Sequence, residues 1–292
     1  MKIIENKTFD EERALYSSRD IIVKDCAFDG PADGESALKE SSNIEVDHVF
    51  CNLRYPFWHD HVLAIRDSEM TELCRASLWY SDHIEISNTK MHGIKALREC
   101  SDVRIKGCDI ISPEFGWSVK NIIMEDSTAQ SEYFMMRSEN LNFSGVKFQG
   151  KYSFQYTENG IFENCTFDTK DAFWHSKNIT VRNSVIKGEY LAWYPDRQPL
   201  INCRIIGTQP FCYCRNLKLI NCEMIDTDLC FEKSDVDAVV TTSVISIKNP
   251  ASGRIQVAGL GELIRDEEDS RAEVVVQEQK EKHETEKMCV CA

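Results

Sequence analysis

The five tryptophans of the chain fall at one phase of a repeat of about 19 residues, so a stack of equivalent turns would place them in one column. They are Trp58, Trp79, Trp117, Trp174 and Trp193. One turn separates Trp58 from Trp79 and Trp174 from Trp193, and strands ~4.8 Å apart would let each pair stack. Exposed aromatic rows are typical of binding surfaces and suit sugar rings. We therefore predict that the five tryptophans and Tyr194 bind a substrate.

The residues that directly follow this tryptophan column form a second column rich in acids, bases and hydroxyls. Its members are Glu40, His59, Tyr80, Glu99, Ser118, Arg137, Tyr156, His175, Tyr194, Tyr213 and Glu232. Candidates for catalysis in the two columns are Glu99, Arg98, Arg137, His59 and His175.

Two reactions would use these groups differently. Glycoside hydrolysis needs two carboxyl groups about 5–9.5 Å apart, whereas a polysaccharide lyase needs a base such as arginine. The glutamates of the second column are three or more turns apart and cannot pair with one another. The run His59-Asp60-His61 could bind a metal, but it is more typical of a solvated turn. The sequence predicts no metal site and no cofactor.

The opposite orientation of the tryptophan column stays open. Reversed alternation would turn the indoles into the core and make the column a packing layer. The charged residues Lys39 and Arg98 occupy the same column and argue against burial, because an unpaired buried charge is costly.

Short strands recurring every 19 residues must hold these columns. With Asn178 to Ile186 as the template, the position of Ile179 recurs in the remaining turns. The corresponding residues are Ile21, Ile44, Leu63, Ile84, Val103, Ile122, Leu141, Gly160, Gln198, Leu217 and Val236. Positions two and seven residues later are apolar, and alternation within a fixed period without a helical segment indicates stacked strands.

A column of Asn, Asp and Gly four residues after each start indicates a tight bend, since these residues tolerate positive φ. Asn164, Asn183, Asn202 and Asn221 belong to it and would form an amide ladder. The sequence therefore predicts an all-β fold, a single-stranded right-handed parallel β-helix of about 12 turns. The handedness follows the usual rule for parallel crossovers.

The repeat also sets the predicted boundaries. Residues 1–20 are expected to cap the N-terminal end, residues 21–247 to form the β-helix and residues 248–264 to form C-terminal cap strands. The charged residues 265–292 are expected to form a flexible tail.

The composition limits the classes of partner. The net charge of −14 disfavours nucleic acid and anionic membranes. No apolar run is long enough for a transmembrane helix, and no secretory signal is visible. The 13 cysteines are then expected to be reduced and buried, five of them in one slot of the repeat, and the protein to be cytoplasmic.

Three segments carry a resemblance to a bacterial family of unknown function. They are Gly34 to Ser41 (GESALKES), Glu12 to Tyr16 (ERALY) and Lys248 to Ile255 (KNPASGRI). The chain resembles that family over roughly residues 1–265. The resemblance implies a pectin-lyase-type right-handed parallel β-helix and implies no activity.

Two functions from different classes follow. The first is binding or processing of a carbohydrate along the aromatic columns, and an enzyme of this kind would resemble an oligosaccharide or polysaccharide lyase or a glycoside hydrolase. The second is a non-enzymatic scaffold whose columns form a protein–protein or homodimer interface. The expected partners are therefore an oligosaccharide or a second copy of the chain.

Overall fold

The computed structural model describes residues 1–277. They form an all-β parallel solenoid of about 14 turns with a repeat of about 19 residues, which confirms the predicted fold class. Within residues 1–277 no helix is long and apolar enough to cross a membrane.

The first sheet runs the full length of the solenoid, and each of its strands pairs in parallel with those of the neighbouring turns. Its strands are Lys2–Glu5, Arg19–Lys24, Ser42–Asp47, His61–Arg66, Asp82–Ser87, Ser101–Lys106, Lys120–Glu125, Glu139–Ser144, Glu158–Glu163, Lys177–Arg182, Asp196–Ile201, Arg215–Ile225, Asp235–Val240, Ser252–Val257 and Glu273–Val276.

The second sheet follows each bend. It contains Thr8–Phe9, Ala27–Phe28, Phe50–Cys51, Glu69–Met70, Lys90–Met91, Asp109–Ile111, Thr128–Ser131, Lys147–Lys151, Thr166–Lys170, Val185–Lys187 and Arg204–Ile206, and the end of Arg215–Ile225 completes it. Shorter strands form the third side, namely Phe57–Trp58, Leu78–Trp79, Leu97–Arg98, Glu114–Phe115 and Tyr133–Phe134. Ser243–Lys248 pairs with Gly259–Ile264 near the C-terminal end.

The core is one continuous column of apolar side chains inside the solenoid. Phenylalanines fill its middle turns, where Phe154 stacks on Phe173 with ring centroids 4.9 Å apart. All 11 cysteines among residues 1–277 are reduced and buried. The thiol of Cys108 donates to the carbonyl oxygen of Lys106 at 3.4 Å, so the cysteine slot serves packing and backbone hydrogen bonding.

Residues with positive φ make the bends, and they recur in several columns of the repeat where the sequence predicted one. The predicted column is confirmed by residues such as Asn183 and Gly107, with φ of 49° and 62°. The second column is formed by the second residues of the first-sheet strands and includes Asn178 at 54°. The third is the Glu/His/Tyr/Arg column itself, in which Tyr194 has a φ of 59°. This bend interrupts the alternation, so the tryptophan column and the column after it both lie on the outside.

Both ends of the solenoid differ from the predicted domains. Residues 1–20 add a further turn, in which Lys2–Glu5 pairs with the strand that follows it. Ile4, Asn6 and Phe9 match the repeat, and the polar Lys2 at the start position concealed it. At the other end Glu273–Val276 pairs with Ser252–Val257 inside the predicted tail. The rest of that tail, residues 278–292, lies outside the described residues.

Candidate functional site

The tryptophan column forms two stacks. The rings of Trp58 and Trp79 lie 5.1 Å apart at 3°, and those of Trp174 and Trp193 lie 5.1 Å apart at 4°. The guanidinium of Arg98 lies 5.1 Å from the indoles of both Trp79 and Trp117, so it fills the gap between them. One face of each indole is therefore covered by a neighbouring indole or by a cation.

The indoles are half-buried, and four of the five are fixed to the backbone through their N–H groups. Trp58, Trp79, Trp174 and Trp193 each donate to a carbonyl oxygen of the following turn. The indole nitrogen of Trp117 is buried and has no such partner within residues 1–277. The column thus contributes packing along the third side and leaves little indole surface for a ligand.

The next column is the exposed one, and its C-terminal part is a continuous stack. We call Tyr156, His175, Tyr194 and Tyr213 the C-terminal ladder. Successive ring centroids are 5.0, 4.9 and 4.6 Å apart, at angles of 7°, 4° and 8°. Tyr156 is 47% exposed and Tyr194 is 45% exposed. The ring faces cover one another, so the ladder presents ring edges and hydroxyl groups to solvent.

A groove of about 660 Å³ lies beside the ladder. We call it the C-terminal groove, and its second wall is a row of charged residues at the start of four first-sheet strands. This row contains Glu158, Lys177, Asp196 and Arg215. Lys177 pairs with Glu158 at 2.8 Å and Arg197 pairs with Asp196 at 3.3 Å. Arg215 makes no ion pair with any residue in the described part of the chain.

Several polar groups of this groove are available to a ligand. Within residues 1–277 the hydroxyls of Tyr156, Tyr194 and Tyr213 make no hydrogen bond to the protein, and neither do the ring nitrogens of His175. Burial and the neighbouring Glu232 carboxylate raise the pKa of Tyr213, so its phenol stays protonated and able to donate. The groove therefore offers a row of hydroxyl and imidazole groups one turn apart.

The five catalytic candidates do not converge on one site. Glu99 pairs with Arg98 at 3.6 Å, and the guanidinium of Arg137 lies over Tyr156 at 5.7 Å. His59 stacks on Tyr80 with ring centroids 5.0 Å apart, and His175 belongs to the C-terminal ladder. Only His175 lines the C-terminal groove.

The run His59-Asp60-His61 is not simply a solvated turn, because Asp60 is fully buried. Its Oδ1 accepts the Ser41 N–H at 2.8 Å, and its Oδ2 has no partner among the described residues. Burial raises the pKa of Asp60 to about 8, and the nearby Glu40 adds to this rise. Both histidines are exposed, whereas Asp60 between them lies in the core.

A pair of histidines shares one carboxylate near this run. Asp82 lies 2.6 Å from Nδ1 of His61 and 2.7 Å from Nδ1 of His83. Partial burial opposes ionisation of Asp82, yet the bonds to both histidines lower its pKa. A different trio, Asp47, His48 and Asp67, places candidate metal-ligating atoms within 4.8 Å of one another. These side chains are largely solvated, and His48 is bonded to Asp47 at 2.7 Å.

Sequence reasoning missed Tyr156, Tyr213 and the charged row as groove residues. Counting two residues back from the repeat position that Ile179 occupies would have found Glu158, Lys177 and Arg215. Their position on the same outward side as the ladder depends on the positive-φ bend between them, which alternation alone does not predict.

The chain is similar to proteins with the same fold. A family model described as "Protein of unknown function (DUF3737)" matches residues 2–277. No curated protein sequence matches the chain. The solved structure of PfbA, a surface adhesin of Streptococcus pneumoniae, is 8% identical with a TM-score of 0.51, over 86% of this chain and 84% of the adhesin. An alginate lyase from Paenibacillus is 9% identical with a TM-score of 0.40, over 82% of this chain and 99% of the lyase.

Proposed function

The chain belongs to a family of proteins of unknown function, and we propose that it binds an oligosaccharide in the C-terminal groove. The observation that carries this proposal is the row of three phenol hydroxyls and one imidazole without protein partners along one wall. A polyhydroxylated chain can exchange hydrogen bonds with such a row at each turn of the solenoid. The charged row opposite supplies further donors and acceptors.

The mode of binding differs from the stacking of sugars on indole faces that the tryptophan spacing suggested. The faces of the stacked rings are occupied, so the ligand contacts ring edges, which carry partial positive charge, and phenol oxygens. The stack of Trp174 on Trp193 then acts as the support beneath the C-terminal ladder.

Binding is favoured over hydrolysis as the activity of this groove. Glycoside hydrolysis needs one protonated carboxylic acid and one free carboxylate. Both carboxylates of the groove have cationic partners, Glu158 with Lys177 and Asp196 with Arg197.

The test is an oligosaccharide array followed by calorimetric titration of the best ligand. The variant Tyr194→Phe removes one hydroxyl and keeps the stacked ring. We expect its Kd to rise about 3- to 10-fold, because one hydrogen bond contributes about 0.5–1.5 kcal/mol. Tyr80→Phe is the matched control, since Tyr80 is also exposed in this column but lies outside the groove. Its affinity should equal that of the wild type.

Two results would contradict the proposal. One is an array without any bound oligosaccharide, and the other is a triple Tyr156→Phe, Tyr194→Phe and Tyr213→Phe variant that binds as tightly as the wild type. In the first case the alternative of a protein-binding surface on the ladder would gain weight.

A further inference from the structure

Each turn of the C-terminal groove sets one ring of the ladder against one residue of the charged row. Every member of the row lies two residues after a ladder residue, so the two walls advance together along the solenoid. The pairs are Tyr156 with Glu158, His175 with Lys177, Tyr194 with Asp196, and Tyr213 with Arg215. The row itself is in parallel register from strand to strand. A ligand that lies along the groove therefore meets a different charge at each turn.

All the charges of the row except one are compensated within the protein. Glu158 and Lys177 neutralise each other, and Arg197 neutralises Asp196 from outside the groove. Arg215 is exposed and makes no ion pair with any residue among the described ones. The row therefore has one uncompensated charge, which is positive and lies at its C-terminal end.

Tyr213 adds a second donor in the same turn as this charge. Its hydroxyl has no protein partner within residues 1–277, and burial together with the neighbouring Glu232 carboxylate raises its pKa, so the phenol keeps its proton. Glu232 is itself buried and held by a salt bridge at 3.0 Å. Lys233 lines the same end of the groove and pairs with Glu267 at 2.9 Å. A guanidinium and a phenol that both donate are complementary to a carboxylate, which accepts from each.

We propose that the C-terminal groove selects oligosaccharides with a single carboxylate, carried by the sugar that lies between Tyr213 and Arg215. This inference rests on the proposed binding of an oligosaccharide in the groove, with one sugar at each turn. Sugars at the turns of Glu158 and Asp196 must be neutral, because an acid group there would face a carboxylate of the protein. A chain with a carboxylate on every sugar is therefore a poor ligand, and a neutral chain leaves the guanidinium without an anion.

The experiment compares matched tetrasaccharides on an array and then by calorimetric titration. Neutral tetrasaccharides of glucan, mannan and xylan are printed beside the same chains with one carboxylate, either an aldonate at the reducing end or a glucuronate at the other end. Tetragalacturonate represents chains with a carboxylate on every sugar. We expect a singly acidic chain to bind about 10-fold more tightly than its neutral counterpart, because a hydrogen bond to a charged group contributes more than one between neutral groups. Added salt should reduce this preference.

Two variants connect the preference to one side chain. Arg215→Gln removes the charge and keeps a polar side chain, so it should abolish the preference and leave the affinity for the neutral chain nearly unchanged. The matched control is Arg182→Gln, which removes an exposed first-sheet arginine outside the groove. This control should keep the wild-type preference.

The possible results separate this inference from the proposed function. Equal affinity for neutral and singly acidic chains would overturn the inference and leave oligosaccharide binding intact. The same holds if tetragalacturonate binds more tightly than every singly acidic chain, or if the preference survives in Arg215→Gln. An array that binds no oligosaccharide would contradict the proposed function itself, and this inference with it.

Discussion

The turns around Trp58 and Trp79 and those around Trp174 and Trp193 place the same side chains in the same slots, yet their outer surfaces differ. Both have a pair of stacked indoles held by backbone hydrogen bonds. In the N-terminal turns the outer column has only the stack of His59 on Tyr80, and Glu99 follows it. In the C-terminal turns the outer column is a stack of four rings beside a groove.

This difference shows which features only support the turns and which ones form the binding surface. The tryptophan stacks are present in both regions, so they do not determine which region has the groove. The outer column and the charged row vary between the regions, and only the C-terminal combination brings four unbonded polar rings into line. The N-terminal turns instead contain a fully buried carboxyl group, that of Asp60, and a β-branched residue, Val62, at positive φ.

The largest effect is expected at Asp60, the buried carboxyl group of the N-terminal turns. Its pKa is about 8 in the folded protein and about 3.9 in the unfolded chain. A raised carboxyl pKa stabilises the fold at low pH, and that stability is lost as the pH rises from about 4 to about 8. In Asp60→Ser this loss is absent. The free energy of unfolding of the variant relative to wild type should therefore rise by about 3–4 kcal/mol between pH 5 and pH 8.

Urea denaturation at both pH values measures this difference. The C-terminal counterpart in the same slot is Ser176, which is also fully buried. Ser176→Ala has no titrating group to remove, so its curve of stability against pH should run parallel to the wild-type curve. If the free energy of unfolding changes equally with pH in Asp60→Ser and in the wild type, the pKa of Asp60 is not raised in the folded protein.

A smaller effect is expected at Gln198, where the C-terminal turns break the pattern of the core. Gln198 is 1% exposed, and neither atom of its amide has a partner within residues 1–277. The slot holds Ile179 and Leu217 in the adjacent turns. Gln198→Leu should raise the free energy of unfolding by about 1–2 kcal/mol, because it removes an unsatisfied buried amide.

Chemical denaturation of Gln198→Leu beside Leu217→Gln tests this explanation. The second variant creates the same defect one turn away and should lower stability. If Gln198→Leu is less stable than the wild type, the amide has a role that the described contacts do not include.

The architecture was predictable because the same pattern of residue types recurs at each turn. Apolar positions and the Asn/Asp/Gly bend recur many times, so one exception such as Gln198 does not hide the pattern. The site was less predictable because it depends on a bend formed by residues that do not favour positive φ. Tyr194 adopts a φ of 59° although tyrosine gives no local signal for it. The tertiary stacking of turns imposes this conformation, and with it the exposure of the ladder.

The smallest effect is expected at Val62, in the bend column formed by the second residues of the first-sheet strands. Val62 has a φ of 56° and is 51% exposed, whereas its C-terminal counterpart Asn178 has a φ of 54° and donates to Asn159 at 3.0 Å. A β-branched residue is strained at positive φ, and asparagine tolerates it. Val62→Asn should therefore stabilise the fold by about 1 kcal/mol, and Asn178→Val should destabilise it by a similar amount.

Thermal and urea unfolding of the two variants measure the sign of each change in the free energy of unfolding. If both variants are less stable than the wild type, a contact of the Val62 side chain stabilises the fold by more than its positive φ costs. Valine would then suit the N-terminal bend as well as asparagine suits the C-terminal one.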